Sequence, residues 1–129
     1  MGRLLHLRIN LSKVKPEYDK VCNKNVVYKI PCSCGRSYIG QTSRPIKVRI
    51  KEHMKNIEKR EVTRSNLCCH VLENNHNVNW GSVKILHRET NWKKRCLLES
   101  AAMQLEGNTL STPSVELNVL YKSVIENLN

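Results

Sequence analysis

A small α+β domain, with a short three-stranded antiparallel sheet flanked by helices, is predicted by three observations. The stretch Val26-Val27-Tyr28 and the stretch Ser37-Tyr38-Ile39-Gly40 flank a turn, Pro31-Cys32-Ser33-Cys34-Gly35-Arg36, and read as a β-hairpin in which Gly35 supplies a positive φ. Ile46, Ile50, Met54 and Ile57 then recur at helical spacing. Val83-Lys84-Ile85-Leu86-His87 has the β-branched content of a third strand.

Residues 1–24 are basic, weakly patterned and include Pro16, which predicts a leader or linker from a longer parent polypeptide. The domain is expected over 25–107, and the hairpin places Tyr28 and Tyr38 on neighbouring strands. Gln41-Thr42-Ser43 ends in a hydroxyl residue suited to capping a helix over 44–60. A second helical segment runs from Ser65 to Leu72 and is broken by Asn74-Asn75-His76-Asn77. Asn91 can cap a further helix that carries Trp92, Cys96, Glu99 and Met103 on one face. Residues 108–129 form a looser extension, with a short apolar periodic stretch from Val115 to Leu128 that predicts a terminal helix.

The chain of 129 residues has a formal net charge of +11, from 22 Lys and Arg against 11 Asp and Glu, the balance expected of a polyanion partner. The excess is concentrated in 44–64, where Arg44, Lys47, Lys51 and Lys55 are the candidate nucleic-acid contacts; the alternative is a solvated helix face. No uninterrupted apolar stretch approaches a membrane span, and His6 and Arg8 break the opening apolar run too early for a signal peptide. An intracellular protein with no membrane partner is the expectation. Its six cysteines are then thiols or metal ligands rather than disulfides.

Cys32 and Cys34 lie in the hairpin turn, and His70 and His76 bracket a helix end, a separation that suits tetrahedral Cys₂His₂ zinc. The spacing is equally met by two turn cysteines and two surface histidines. Cys68 and Cys69 are nearby substitutes as ligands, while Cys22 and Cys96 read as structural thiols.

The tyrosine pair, followed by Arg49 and His53 on the next helix and Glu99 on a later one, resembles the GIY-YIG endonuclease superfamily. The match is closest to the endonuclease domain of Penelope-like retroelements, which also carries a cysteine pair between its tyrosine strands, as Lys29-Ile30-Pro31-Cys32-Ser33-Cys34-Gly35 does here. The subgroup's downstream pattern recurs as Ser65 to His70 and then Glu73-Asn74-Asn75-His76-Asn77-Val78-Asn79-Trp80. Valine replaces the first glycine of the superfamily's name, and Gln41 stands where some relatives have lysine.

The resemblance implies metal-dependent hydrolysis of a DNA phosphodiester by strand nicking. It implies a domain fused in its parent element to a reverse transcriptase, acting in the nucleus. Such chemistry needs an activated water, a metal at the developing charge and a cation at the phosphate. Glu99 would hold Mg²⁺ or Mn²⁺, since such an ion binds through one or two carboxylates and keeps most of its waters. Arg49 offers a forked donor to phosphate, and His53, four residues on, shares its helix face. The resemblance makes Tyr28 the general base, Tyr38 an orienting group and His53 an auxiliary proton acceptor. It adds a late asparagine, with Asn118 preferred over Asn108, and favours zinc on Cys32, Cys34, His70 and His76. Two other readings stand beside it. One is a non-catalytic, zinc-stabilised nucleic-acid-binding remnant of a decayed element. The other is a repair or junction nuclease of the same superfamily, against which the Cys32/Cys34 insertion argues.

Overall fold

The computed structural model describes Tyr18 and residues 23–61 and 65–111. Cys22, Asn118 and the terminal helix expected over 115–128 lie outside the described residues. The hairpin forms as β1 (Val26–Pro31) and β2 (Ser37–Thr42), both extending beyond the tyrosine motifs. Gly35 takes φ +91° in the turn between them, a conformation that an L side chain strains to adopt. The third strand, β3 (Lys84–Arg88), pairs antiparallel with β1, so the strand order is β2-β1-β3 and β1 is central. The register slips between Val27 and Tyr28, an irregularity of the β-bulge kind.

The first helix, α1 (Ile46–Glu58), is shorter than the periodicity predicts and is not capped by Ser43. Pro45 stands at its N-cap with no side-chain hydrogen bond, since its fixed φ already suits a helix start. The hydroxyl of Thr42 instead accepts from the backbone N–H of Arg44, ahead of the helix. The second helix, α2 (Asn66–Asn74), is capped by Ser65, whose side chain accepts from the Cys68 N–H, and ends on Asn75 in the left-handed conformation. A 3₁₀ turn, Trp80–Ser82, leads into β3. In α3 (Trp92–Glu106) Asn91 caps as expected, accepting from the Lys94 N–H. Trp92 does not share the inward face of Cys96 and Met103: it is 61% exposed, whereas they are 7% and 5% exposed.

Alternation along β1 divides the interior. Val26, Tyr28 and Ile30 pack with Ile46 and Ile50 of α1, Leu67 and Val71 of α2, and Val83. Val27 joins Ile39, Ala102 and Met103 in a second cluster with α3. Each buried aliphatic side chain contributes about 1.5–3 kcal/mol of transfer free energy, so the layering follows from the period-two pattern of the central strand. Residues on both sides of the expected 25–107 span take part. Asn23 accepts from the Ile46 N–H at 2.8 Å and from Arg88 at 3.1 Å, and Tyr18 packs against the first cluster. The 108–111 segment lies along β2, where the Ser111 hydroxyl accepts from Ile39 N–H and donates to Ile39 C=O.

Candidate active site and metal centre

The antiparallel register places Tyr28 opposite Gly40 and Tyr38 opposite Ile30, so the two phenols lie diagonally on adjacent strands. Their ring centroids are 6.3 Å apart. A Cβ at Gly40 would lie 2.7 Å from the Tyr28 hydroxyl, 2.8 Å from its Cζ and 2.9 Å from Tyr38 Cε2. Glycine is therefore what lets the tyrosine pair close over β2. From α1, the His53 ring stands edge-on to both phenols, at 6.2 Å from Tyr28 and 5.0 Å from Tyr38. The Tyr28 hydroxyl and His53 Nε2 are hydrogen-bonded at 3.1 Å.

This centre is costly to assemble. Tyr28 is fully buried and His53 is 1% exposed. His53 Nδ1 has no hydrogen-bond partner among the described residues, and a buried orphan of that kind costs about 1–3 kcal/mol. Burial, reinforced by the Arg49 charge, pushes the His53 pKa down to about 3, so the ring is neutral at physiological pH. Proton uptake there is disfavoured in the free protein. Its neutral Nε2 is suited instead to receiving the Tyr28 hydroxyl hydrogen in a hydrogen bond.

Burial also raises both phenols above their ordinary range, Tyr28 the more strongly. Arg49 opposes that shift at both, by its charge and by hydrogen bonding, while Glu99 adds to it. Arg49 of α1 and Glu99 of α3 thus lie within electrostatic reach of the tyrosine pair. Tyr38 is only partly buried and is the phenol that reaches solvent. Asn108 is exposed, with its carbonyl accepting from the Ser37 N–H.

At the far end of the hairpin, donor atoms of Cys32, Cys34, His70 and His76 all lie within 4.8 Å of one another and could hold a metal ion. His70 Nε2 stands 3.4 Å from Cys34 Sγ and 2.9 Å from His76 Nδ1. Tetrahedral zinc, with bonds of about 2.0–2.3 Å, separates its ligands by comparable distances. Burial and the neighbouring His76 lower the His70 pKa, favouring the neutral form that ligates metals. Backbone bonds brace the cluster: Ser33 N–H to Asn77 C=O at 2.8 Å and Asn79 N–H to Pro31 C=O at 2.9 Å. Cys68 and Cys69 are not part of it, their thiols facing the Asn56 carbonyl and the Glu73 carboxylate.

Of the candidate DNA contacts, Lys47, Lys51 and Lys55 recur every four residues on the exposed face of α1, and Arg44 is engaged with Glu52 at 2.7 Å. Sequence reasoning overlooked Glu52, which also receives Arg49 at 3.1 Å; its spacing of three from Arg49 was the available signal. It also overlooked Arg95. That residue is 2% exposed and donates to Gln41 at 2.7 Å, Asn25 at 3.3 Å and the carbonyls of Glu89 and Thr90. Arg95 pins the first turn of α3, and with it Glu99 one turn later, to the strand that bears Tyr38. No helix among the described residues is long and apolar enough to cross a membrane. No protein-family model, curated protein or solved structure matches the chain.

Proposed function

We propose that this domain is a metal-dependent DNA endonuclease of the GIY-YIG type, of the kind found in Penelope-like retroelements, which nicks a strand by phosphodiester hydrolysis. The convergence of Tyr28, Tyr38, Arg49, His53 and Glu99 from β1, β2, α1 and α3 carries this reading. A core selected for stability alone gains little from an orphaned imidazole nitrogen and two desolvated phenols beside a guanidinium.

Glu99, a partly exposed carboxylate, fits the hard-ion chemistry of Mg²⁺ or Mn²⁺, which supplies charge stabilisation and acidifies water when bound. Arg49 grips the scissile phosphate with its fork. Tyr38, facing solvent, orients the attacking water or the phosphate. Tyr28 is the general base only while cations offset its surroundings, since burial otherwise holds its proton in place. His53 fixes the direction of the Tyr28 hydroxyl. The Lys47, Lys51 and Lys55 stripe, with Arg44, follows the DNA backbone. Cys32, Cys34, His70 and His76 hold a structural Zn²⁺. In this reading the domain works in the nucleus beside the reverse transcriptase of its parent element.

Supercoiled plasmid incubated with the purified protein and Mg²⁺ or Mn²⁺ is expected to be nicked. Glu99→Ala should slow nicking by about 100-fold or more while DNA binding persists; unchanged nicking refutes the metal role. The full burial of Tyr28 favours a second reading, a zinc-stabilised nucleic-acid-binding remnant. It predicts that the wild-type protein binds DNA and leaves the plasmid intact.

A further inference from the structure

Glu52 stands between two of the cations that the reading above gives to DNA. Its carboxylate receives two parallel hydrogen bonds from Arg44, Nη1 to Oε2 at 2.8 Å and Nη2 to Oε1 at 2.7 Å. Arg49 Nη1 donates a third, to Oε1 at 3.1 Å. Arg44 reaches this point from the loop before α1, and Arg49 from the helix turn before Glu52. The two guanidinium groups are close enough for each charge to disfavour the other, a juxtaposition that calls for an anion. Arg49 is also the cation beside both phenols, so the carboxylate lies one side chain away from the tyrosine pair.

A carboxylate held by the Arg44 fork and a further Arg49 N–H presents its oxygens much as a phosphodiester presents its non-bridging pair. The Arg44 and Glu52 side chains are 54% and 38% exposed, and solvent-screened pairs of this kind are weak enough to exchange partners. We propose that Arg44 and Arg49 form a clamp for one phosphate of the DNA strand beside the tyrosine centre, and that Glu52 is the resident anion this phosphate displaces. The proposal rests on the reading of the domain as DNA-cutting. Glu52 then sets a threshold for entry. It keeps the guanidinium forks aligned in the free protein and must be outcompeted by a backbone already engaged by the lysine stripe, which disfavours isolated anions.

The test is fluorescence anisotropy of a labelled DNA duplex at low salt, without added Mg²⁺ or Mn²⁺, so that binding is read apart from cleavage. Glu52→Gln, nearly isosteric at an exposed position, should tighten binding about five-fold, the scale of removing one exposed ion pair. Glu58→Gln makes the same change in net charge on the exposed part of the same helix and should give a smaller gain. In an Arg44→Ala background the gain from Glu52→Gln should shrink, because one jaw of the clamp is gone. Wild-type binding with no difference between Glu52→Gln and Glu58→Gln, or a loss of affinity in Glu52→Gln, overturns the clamp alone. Absence of duplex binding by every variant overturns the DNA reading along with it.

Discussion

The two ends of one hairpin are built on opposite principles. Around the strands, Tyr28, His53 and Gly40 are buried, and their arrangement opposes both ionisation and full hydrogen bonding. At the turn, Cys34 is exposed, His70 and His76 are partly exposed, and the donors are braced by backbone bonds to 77–79. The difference teaches where each part draws its precision. The tyrosine centre is held by packing, so a change of one carbon is felt. The cysteine and histidine cluster, in the proposed reading, leaves its last increment of rigidity to a bound ion.

Removing that ion should have the largest effect. For zinc present at a thousand times its Kd, chelation withdraws about 4 kcal/mol of stability, read as a lowered midpoint in urea unfolding followed by circular dichroism. Elemental analysis of protein purified without chelator should find about one zinc per chain, as a four-ligand structural site requires. An unchanged midpoint and a zinc-free protein would return the cluster to two turn cysteines and two surface histidines.

Gly40→Ala probes the other end. The added Cβ would meet Tyr28 and Tyr38 at 2.7–2.9 Å, so the rings must separate. Overpacking of this sort costs about 1–3 kcal/mol, and a misplacement near 1 Å can lower the rate about 100-fold. Zinc content should stay the same, since β2 enters the turn at Ser37, beyond both cysteines. Nicking that survives Gly40→Ala would mean that the close tyrosine pair is not needed for cleavage.

The contrast also explains what the sequence disclosed. Ser65 and Asn91 are legible as caps because capping is local chemistry between residues three apart, and both accept the bonds expected. The hairpin is legible for the same reason. Ser43 misled because Thr42 and Pro45 compete for the same few residues at the start of α1, and the proline's fixed φ decides. The central place of β1, the four-acceptor burial of Arg95 and the alignment of 108–111 with β2 depend on partners dozens of residues away, beyond the reach of periodicity. The five candidate residues could be nominated, but their energetics could not. The neutrality of His53 follows from its burial between α1 and the tyrosine strands and from Arg49 at its side.

That neutrality gives the next effect in size. The His53 pKa falls from 6.5 to about 3 on folding, so between those values the unfolded chain binds a proton that the native protein refuses. Stability is fully present above pH 6.5 and falls as the pH drops toward 3, by as much as about 1.4 kcal/mol per pH unit. A His53→Gln variant, whatever its stability at neutral pH, should show a flatter profile through this window. The difference between the two profiles isolates His53 from the histidines of the metal cluster. Parallel profiles would mean that native His53 takes up its proton near the ordinary histidine value, and that burial does not hold the ring neutral.

Ser65→Ala should have the smallest effect and bears most directly on whether the two ends are independent. The Ser65 hydroxyl accepts from the Cys68 N–H at 3.1 Å and caps α2, which carries His70 but none of the five residues around the tyrosines. Losing the cap costs about 1 kcal/mol. The Leu67 and Val71 contacts still hold α2 against Tyr28 and Ile30, so the helix frays at its first turn without detaching. Stability should therefore fall while the nicking rate under native conditions stays level. A rate that falls with the cap would show that α2 transmits the order of the metal end through Leu67 and Val71 to Tyr28, making one unit of what the geometry presents as two.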